Sequence, residues 1–333
     1  MEYSELIAAA ESNLKAKNAL NNYSVGEGNY ARRGAETNHV GLYNQQYYER
    51  FGFKFRLIDS QAASTEIKLF GRTFKTPIFT GALSGMTEIT DNPLVKIAAG
   101  VKDSGSLMGL GIITAQQLHE VMEVGVPTFR IVKPFLDIEA MVKELKEAEA
   151  AGVVAVGTDI TFFYGGKRGD RTYAPKPMGP KTVDELKALV GSTKLPFVVK
   201  GVLSPEDAEK ALTAGAGAIV VSNHGGQIID YAAHPLEVLP DIKKVIGNRI
   251  PILVDSGIRR GSDVMKALAL GADAVLAGWA MAMGLAADGS QGVSEMLNTL
   301  TAELQRIMSV TGCKQLADID KKVLVERDYF ISR

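Results

Sequence analysis

The sequence predicts an α/β protein of the (β/α)8 (TIM) barrel class, with a helical segment in front of the barrel. From Gly71 onwards, eight short apolar runs alternate with segments of helical character. A helix end, a tight turn and the start of a strand recur together as one sequence pattern. About 250 residues are available for the repeated strand–helix units, which suits a sheet closed on itself. No Gly-x-Gly-x-x-Gly follows the first run, which disfavours an open dinucleotide-binding sheet.

The apolar runs are rich in β-branched residues and end at glycine or polar residues, as expected of strands buried on both faces. They are residues 77–82, 106–109, 128–132, 153–159, 197–201, 218–224, 250–255 and 274–278. The recurring pattern of helix end, turn and strand lies at 151–156, 214–219 and 270–275. Helix starts are predicted after Thr114, after Ser204 with Pro205 behind it, and at Ser262-Asp263, because these residues satisfy the first free N–H groups of a helix.

The chain is predicted to form a single domain over residues 1–333. Residues 1–70 are a helical and loop segment, with an amphipathic helix at about Glu5 to Asn18 and no convincing strand before about residue 60. Residues 71–312 form the barrel, and residues 313–333 are a C-terminal tail.

Composition favours a small-molecule partner. The 333 residues carry a formal charge of -1, so no basic field is available for nucleic acid or an anionic membrane. The single cysteine, Cys313, cannot form an internal disulfide, and the acidic N-terminus does not resemble a signal peptide, so a cytoplasmic location is expected. Residues 267–287 are apolar but contain a turn signal at Gly271-Ala272-Asp273, which favours helix, strand and helix over a membrane span. No metal site is predicted.

The predicted strand ends carry the residues suited to chemistry. In a barrel the site lies at the carboxyl ends of the strands, which here are Asp159, Lys200, His224, Asp255 and Gly278. A carboxylate beside a histidine can fix its tautomer and stabilise its protonated form, so Asp159 and His224 are a candidate base and orienting group. Lys200 is either a Schiff-base lysine or a cation beside an electron-accepting ring or phosphate.

The loops after the seventh and eighth strands indicate a phosphate site. Asp255-Ser256-Gly257-Ile258-Arg259-Arg260-Gly261 ends the seventh run, and Gly278 ends the eighth. Glycine backbone N–H groups and an arginine at this place in a barrel often bind phosphate, whereas a solvated charged turn is the simpler alternative. The glycines in both loops favour phosphate.

Three motifs in order resemble the FMN-dependent 2-hydroxy acid oxidases and dehydrogenases, such as glycolate and lactate oxidase. They are Val199-Lys200-Gly201-Val202, residues 220–226 with Asp230 after them, and residues 255–264 followed by 266–272. The match is strong from about residue 195 to 312 and weaker upstream, where it continues through Asp159 and through Tyr30 before Gly34-Ala35-Glu36.

The resemblance implies FMN across the barrel mouth, a small-molecule substrate and a homotetramer. By this analogy His224 takes the proton of the substrate hydroxyl while hydride passes from C2 to flavin N5, Asp159 steadies the imidazolium, and Lys200 stabilises the reduced flavin. The implied catalytic residues are His224, Asp159, Lys200 and Tyr30. The implied cofactor-binding residues are Ala82, Gly111, Arg130, Lys200, Ser222, Asp255, Gly257, Arg259, Gly278 and Trp279. The implied substrate-binding residues are Tyr30, Arg130, Lys167, His224 and Gln227.

Several positions depart from the family pattern. The arginine that grips the substrate carboxylate, directly after His-Gly-Gly, is Gln227 here. The third-strand tyrosine and glutamine are read as Val132 and Arg130, the fourth-strand threonine as Gly157, a further substrate-side arginine as Lys167, and the phosphate-side arginine as Trp279. The loop between the fourth and fifth strands is shortened to about Phe162 to Pro196. Arg130, Arg32, Arg33 or Lys167 are candidate replacements for the missing grip, with solvated side chains as the alternative.

These observations predict an FMN-dependent oxidoreductase that takes hydride from a 2-hydroxy acid or related alcohol. Loss of the carboxylate arginine leaves a second hypothesis, an FMN-dependent isomerase or other flavoenzyme without net redox change. A non-catalytic flavin-binding protein is the third, disfavoured because both Asp159 and His224 are kept.

Overall fold

A closed sheet of parallel strands forms the centre of the protein. The computed structural model describes residues 1–23, 35, 37, 39–161 and 177–327. Within these, the central sheet has nine short parallel strands, whose order along the sheet is Ile78–Phe79, Ala274–Leu276, Ile252–Val254, Ala218–Val221, Phe197–Val202, Ala155–Asp159, Thr128–Val132, Met108–Leu110 and Ala82–Leu83. The two outer members, β4 (Ile78–Phe79) and β5 (Ala82–Leu83), are halves of one interrupted strand, so the sheet closes and counts as eight barrel strands. The predicted barrel is therefore observed.

The described barrel strands and their helices alternate along the chain. After β4 and β5 the strands are β6 (Met108–Leu110), β7 (Thr128–Val132), β8 (Ala155–Asp159), β9 (Phe197–Val202), β10 (Ala218–Val221), β11 (Ile252–Val254) and β12 (Ala274–Leu276). The helices beside them are α3 (Pro93–Asp103), α4 (Ala115–Glu123), α5 (Ile138–Ala150), α6 (Val183–Gly191), α7 (Pro205–Thr213), α8 (Pro235–Ile246), α9 (Gly261–Ala269) and α10 (Gly278–Val310). Thr114 and Ser204 cap α4 and α7 as predicted. Arg260, not Ser262, precedes α9, because Asp263 accepts the N–H groups of Arg259 and Arg260.

Alternation along the strands separates two apolar layers. Phe79, Phe129, Ile131, Val198 and Val220 belong to one buried cluster that fills the inside of the barrel. Their strand neighbours, such as Val132, Val156, Val199 and Val221, belong to a second cluster that packs between the sheet and the helices. Because successive strand residues face opposite sides, the position of a residue in this pattern fixes whether its side chain reaches the interior.

The N-terminal segment packs across the last helix and the mouth of the barrel. Helix α1 (Tyr3–Ala16) packs on α10, and α2 (His39–Gln46) lies against the turn that follows β10. Strand β1 (Phe51–Phe53) pairs antiparallel with β13 (Leu324–Glu326), and β2 (Ile67–Leu69) pairs with β3 (Arg72–Phe74). The expectation of no strand before residue 60 was wrong at β1, since a strand of three residues is too short to show periodicity.

No helix in the described ranges is both long enough and apolar enough to cross a membrane. Residues 267–287 form the end of α9, β12 and the start of α10, as the turn signal predicted. Helix α10 is interrupted at Asp288 and Gly289, whose backbone angles are not helical.

Candidate active site

Three neighbouring strands carry the charged residues of the inner wall to one place. Asp159 ends β8 and pairs in register with Lys200 on β9, and Lys200 pairs in turn with Val220 on β10. His224 follows β10 after two residues. Asp159 lies four positions after the inward Ala155, and Lys200 lies two positions after the inward Val198. Both side chains therefore face the interior at the carboxyl ends, where barrel sites lie.

Asp159 is the centre of a buried charge cluster. Its Oδ2 lies 3.0 Å from His224 Nδ1, and 3.6 Å from the ammonium groups of both Lys133 and Lys200. Its Oδ1 accepts the backbone N–H of Thr161 at 3.1 Å and also the Thr161 hydroxyl. With a residue exposure of 2%, this carboxylate is ionised only because cations and hydrogen bonds replace the lost water.

The charges of this cluster hold each other in the ionised form. Burial acts to raise the pKa of Asp159, but Lys200, then His224 and Lys133, outweigh it and leave the pKa well below its usual range. Burial acts to lower the pKa of Lys200, but Asp159 and Asp255 outweigh it and raise that pKa. Lys200 Nζ lies 3.2 Å from Asp255 Oδ2 and donates to Ser222 Oγ at 3.2 Å.

His224 is held in the neutral form by its surroundings. Burial, helped by the positive charges of Lys200 and Lys133, lowers the pKa of His224 to about 4, although Asp159 acts in the opposite direction. Nδ1 lies 3.0 Å from Asp159 Oδ2 and 2.9 Å from Thr161 Oγ1, whose hydroxyl hydrogen is directed to Asp159. These contacts assign the hydrogen to Nδ1 and leave Nε2 with a lone pair.

Hydrogen bonds from neighbouring side chains hold the turn that carries His224. His224 has a left-handed backbone with φ of 53°, which is costly for a residue with a side chain and persists only where neighbours fix it. Its N–H donates to Ser222 Oγ at 3.0 Å, and the N–H of Gly225 donates to Ser256 Oγ at 3.2 Å. Asn223 exchanges two amide hydrogen bonds with Asn44 of α2, at 2.6 and 3.0 Å.

A second histidine completes this brace. His234 is fully buried, donates from Nε2 to Asn44 O at 3.2 Å and accepts the N–H of Leu236 at Nδ1. Burial lowers the pKa of His234 to about 3, so it stays neutral. No local sequence pattern indicated that Asn44 contacts Asn223 and His234, because these partners are 179 and 190 residues away along the chain.

The phosphate-side residues gather at the neighbouring strands. Gly278 begins α10, whose N-terminal N–H groups and dipole favour an anion. A Cβ added to Gly278 would be in ordinary van der Waals contact with Leu83 Cδ2 at 3.7 Å, so this helix start packs beside the first barrel strand. The guanidinium of Arg259 lies 4.0 Å over the ring of Trp279, and Trp279 Nε1 donates to Tyr23 O at 2.7 Å. Burial lowers the pKa of Arg259, which is half-buried.

Comparisons with known proteins agree with this geometry. A model of the family described as FMN-dependent dehydrogenase matches residues 19–181 and 169–326. The chain belongs to this family. A 2-hydroxyacid oxidase of Dictyostelium discoideum is 32% identical over 307 residues, which cover 83% of this chain and 79% of the relative. An L-lactate oxidase of Lactobacillus jensenii is 32% identical over 324 residues, covering 87% and 79%. A crystal structure of mandelate oxidase matches with a TM-score of 0.86 at 28% identity, covering 98% of each chain.

Membership confirms the predicted family, barrel fold, FMN cofactor and oxidoreductase class of this FMN-dependent dehydrogenase. The residues present fit the cofactor. Lys200 supplies a buried cation on the inner wall, and Arg259, whose side chain forms no ion pair within the described residues, lies over Trp279 at the start of α10. Ala82 begins β5 and Gly111 directly follows the neighbouring β6, where the Gly111 N–H donates to Leu83 O.

The other predicted site residues have the following surroundings. Gly257 has φ of +86°, and a Cβ there would lie 2.3 Å from Asn44 O, so this glycine serves the contact with α2. Ser222 accepts from Lys200 and from the backbone of His224. Gln227 directly follows the His224 turn and is half-buried. Tyr30 and Lys167, like Arg32 and Arg33, lie outside the described residues.

The structure does not bring Arg130 into the cluster. Its guanidinium donates to Ile131 O at 2.9 Å and to Glu144 Oε2 of α5 at 3.1 Å, on the outer face of β7. Val132 shares that outer face. The predicted placement of Arg130 and Val132 at the mouth was therefore wrong, because a shift by an odd number of residues along a strand exchanges its two faces. Lys133, the first residue after β7, continues the inward positions of Phe129 and Ile131. Sequence reasoning missed it, although the two-residue period of the strand could have found it.

Proposed function

We propose that the protein oxidises 2-hydroxy acids to 2-oxo acids with FMN, and that His224 is the base that takes the hydroxyl proton. The observation that carries this proposal is the 3.0 Å contact between His224 Nδ1 and the buried Asp159 carboxylate. The names of the relatives, 2-hydroxyacid oxidase and L-lactate oxidase, support the substrate class.

The cluster is suited to proton abstraction. With a pKa of about 4, His224 is neutral near pH 7 and can accept a proton at Nε2. The imidazolium that results is stabilised by Asp159, which stays ionised throughout because its pKa is well below its usual range. FMN, when bound, accepts the hydride from the substrate carbon. Lys200 and Ser222 would lie against its ring, while Arg259 and the start of α10 would hold its phosphate.

Anaerobic mixing of the yellow holoprotein with glycolate, L-lactate and mandelate tests the reaction. At least one acid should bleach the oxidised flavin. His224→Ala should retain FMN but reduce it slower by about 10²- to 10⁴-fold, the usual contribution of a general base. His119→Ala is the control, since the His119 side chain is 73% exposed on α4. An active His224→Ala enzyme would contradict the assigned base.

A flavoenzyme without net redox change is the second candidate, because the neutral Gln227 stands where the family has its carboxylate arginine. It would be favoured if none of the acids bleached the flavin while dithionite did. A homotetramer, supported by the family resemblance, and a cytoplasmic location, supported by the single cysteine, are part of the proposal. Size-exclusion chromatography with light scattering tests the tetramer.

A further inference from the structure

Lys133 places a cation at the end of the inner face of β7. It continues the inward positions of Phe129 and Ile131, and its Nζ lies 3.6 Å from Asp159 Oδ2. This is the same carboxylate oxygen that contacts His224 Nδ1. Lys133 and His224 thus share one contact atom, Asp159 Oδ2.

The two lysines on Asp159 differ in their surroundings. Lys200 has a side chain only 5% exposed, and Asp255 and Ser222 also hold its ammonium at 3.2 Å. The side chain of Lys133 is 13% exposed, so more of it reaches solvent than of the Lys200 side chain. An ammonium has three donors, so Lys133 can contact a second carboxylate while Asp159 keeps Lys200 and His224.

The substrate class sets where a carboxylate must be bound. In a 2-hydroxy acid the carboxylate carbon is bonded to the carbon that carries the hydroxyl, so the groups that bind the two must be neighbours. The residue after His224-Gly225-Gly226 is the uncharged Gln227, which cannot neutralise an anion. Two carboxylates, Asp159 and Asp255, and two lysines balance each other in the cluster, so an entering anion meets no net repulsion.

We propose that Lys133 binds the carboxylate of the substrate and makes the enzyme prefer a 2-hydroxy acid over its neutral amide. This inference rests on the proposed function and names the group that recognises its substrate class.

The experiment compares acids with their own amides. Wild type, Lys133→Met and Lys133→Arg are mixed anaerobically with L-lactate and L-lactamide, and with mandelate and mandelamide, and flavin reduction is followed over substrate concentration. Lys133→Met should weaken the apparent binding of the acid by about 10- to 100-fold, as expected for a hydrogen bond to a charged group. The amide should lose at least tenfold less than the acid. Lys133→Arg, which keeps the charge, should restore most of the preference.

Arg130→Met is the matched control. It removes a basic residue three positions earlier on the same strand, but from the outer face, so the ratio of acid to amide should stay that of wild type. Equal losses for acid and amide in Lys133→Met would show a structural role only and would overturn the inference. No loss for either substrate in Lys133→Met would also overturn it.

A binding measurement separates this inference from the reaction. Pyruvate, a 2-oxo acid, is titrated into the oxidised holoprotein and the perturbation of the flavin spectrum is recorded. Wild type should bind and Lys133→Met should bind more weakly by at least tenfold. If no acid reduces the wild-type flavin but this difference is found, the proposed reaction fails and Lys133 still stands as the carboxylate site. If pyruvate binds both proteins equally, or neither, the inference falls.

Discussion

The mouth of the barrel contains two groups of buried charge that are built differently. On the side of β8 to β10, Lys133 and Lys200 each face the Asp159 carboxylate. On the side of β12 and α10, Arg259 lies over the indole of Trp279, and its side chain has no ion pair among the described residues. The first group is neutral as a whole, whereas the second keeps its positive charge.

This difference matches two kinds of ligand. A dianionic phosphate needs cations that are not already neutralised, and a helix N-terminus with a half-buried guanidinium provides them. A proton-transfer site needs charges that set the pKa values of its members, and mutual ion pairs provide that. The group around Asp159, here called the base side, should therefore control the rate of reduction. The group around Arg259, here called the phosphate side, should control cofactor affinity.

The largest effect is expected from Asp159→Asn. The amide cannot stabilise an imidazolium, so flavin reduction should slow by about 10²- to 10⁴-fold. FMN content should change little, since Lys200 keeps its contacts with Asp255 and Ser222. Stopped-flow reduction and the ratio of flavin to protein absorbance measure the two quantities. Loss of FMN at an unchanged rate of reduction would reverse the assignment of the two sides.

The next largest effect is expected from acid pH, which should lower activity by protonating His224. The base acts only when neutral, and the pKa of His224 is about 4, so activity should be flat from pH 7 downward and fall through that pKa. Below it, kcat/KM should fall about tenfold per pH unit. A neutral amide substrate is used because it has no carboxyl group of its own to titrate. His224 faces Asp159, Lys200 and Lys133, and Lys133→Met should move the limb to higher pH because one cause of the lowered pKa is removed.

A limb near pH 6.5 in the wild type, the ordinary range of histidine, would show that the cluster does not hold His224 in the neutral form. The ratio of flavin to protein absorbance is followed over the same range, so that loss of FMN in acid is not mistaken for titration of the base.

Arg130→Met should affect stability and leave the mouth alone. The Arg130 side chain is 6% exposed and pairs with Glu144, whose side chain is 28% exposed. Burial lowers the pKa of Arg130 to about 10, against the effect of Glu144. Removing it should lower the free energy of unfolding by about 1–3 kcal/mol, since Glu144 can regain water. Urea unfolding measures this, and a change in substrate preference would mean that Arg130 reaches the site.

The contrast between Arg130 and Lys133 shows what could be predicted from the sequence. Asp159, Lys200 and His224 were found because each closes an apolar run and two of them sit in motifs that fix the register. Strand β7 has no such motif, so the residues could be counted in the wrong register, which turns an inward side chain outward. The contact of Asn44 with Asn223 spans the chain from α2 to β10, and no local pattern encodes it.

The smallest effect is expected from Trp279→Arg on the phosphate side. Two cations beside the start of α10 should bind the FMN phosphate more tightly than Arg259 alone, by about fivefold or ~1 kcal/mol, since the site is partly exposed. Without FMN the two arginines repel each other, so the apoprotein should be slightly less stable than wild type. Quenching of flavin fluorescence measures the affinity. Tryptophan fluorescence cannot be used, because Trp279 is the single tryptophan and the variant lacks it. Trp279→Phe keeps a ring under Arg259 and should bind FMN as wild type does. If Trp279→Arg binds FMN more weakly than Trp279→Phe, the indole position serves to hold Arg259 in place, and the phosphate side depends on packing rather than on uncompensated charge.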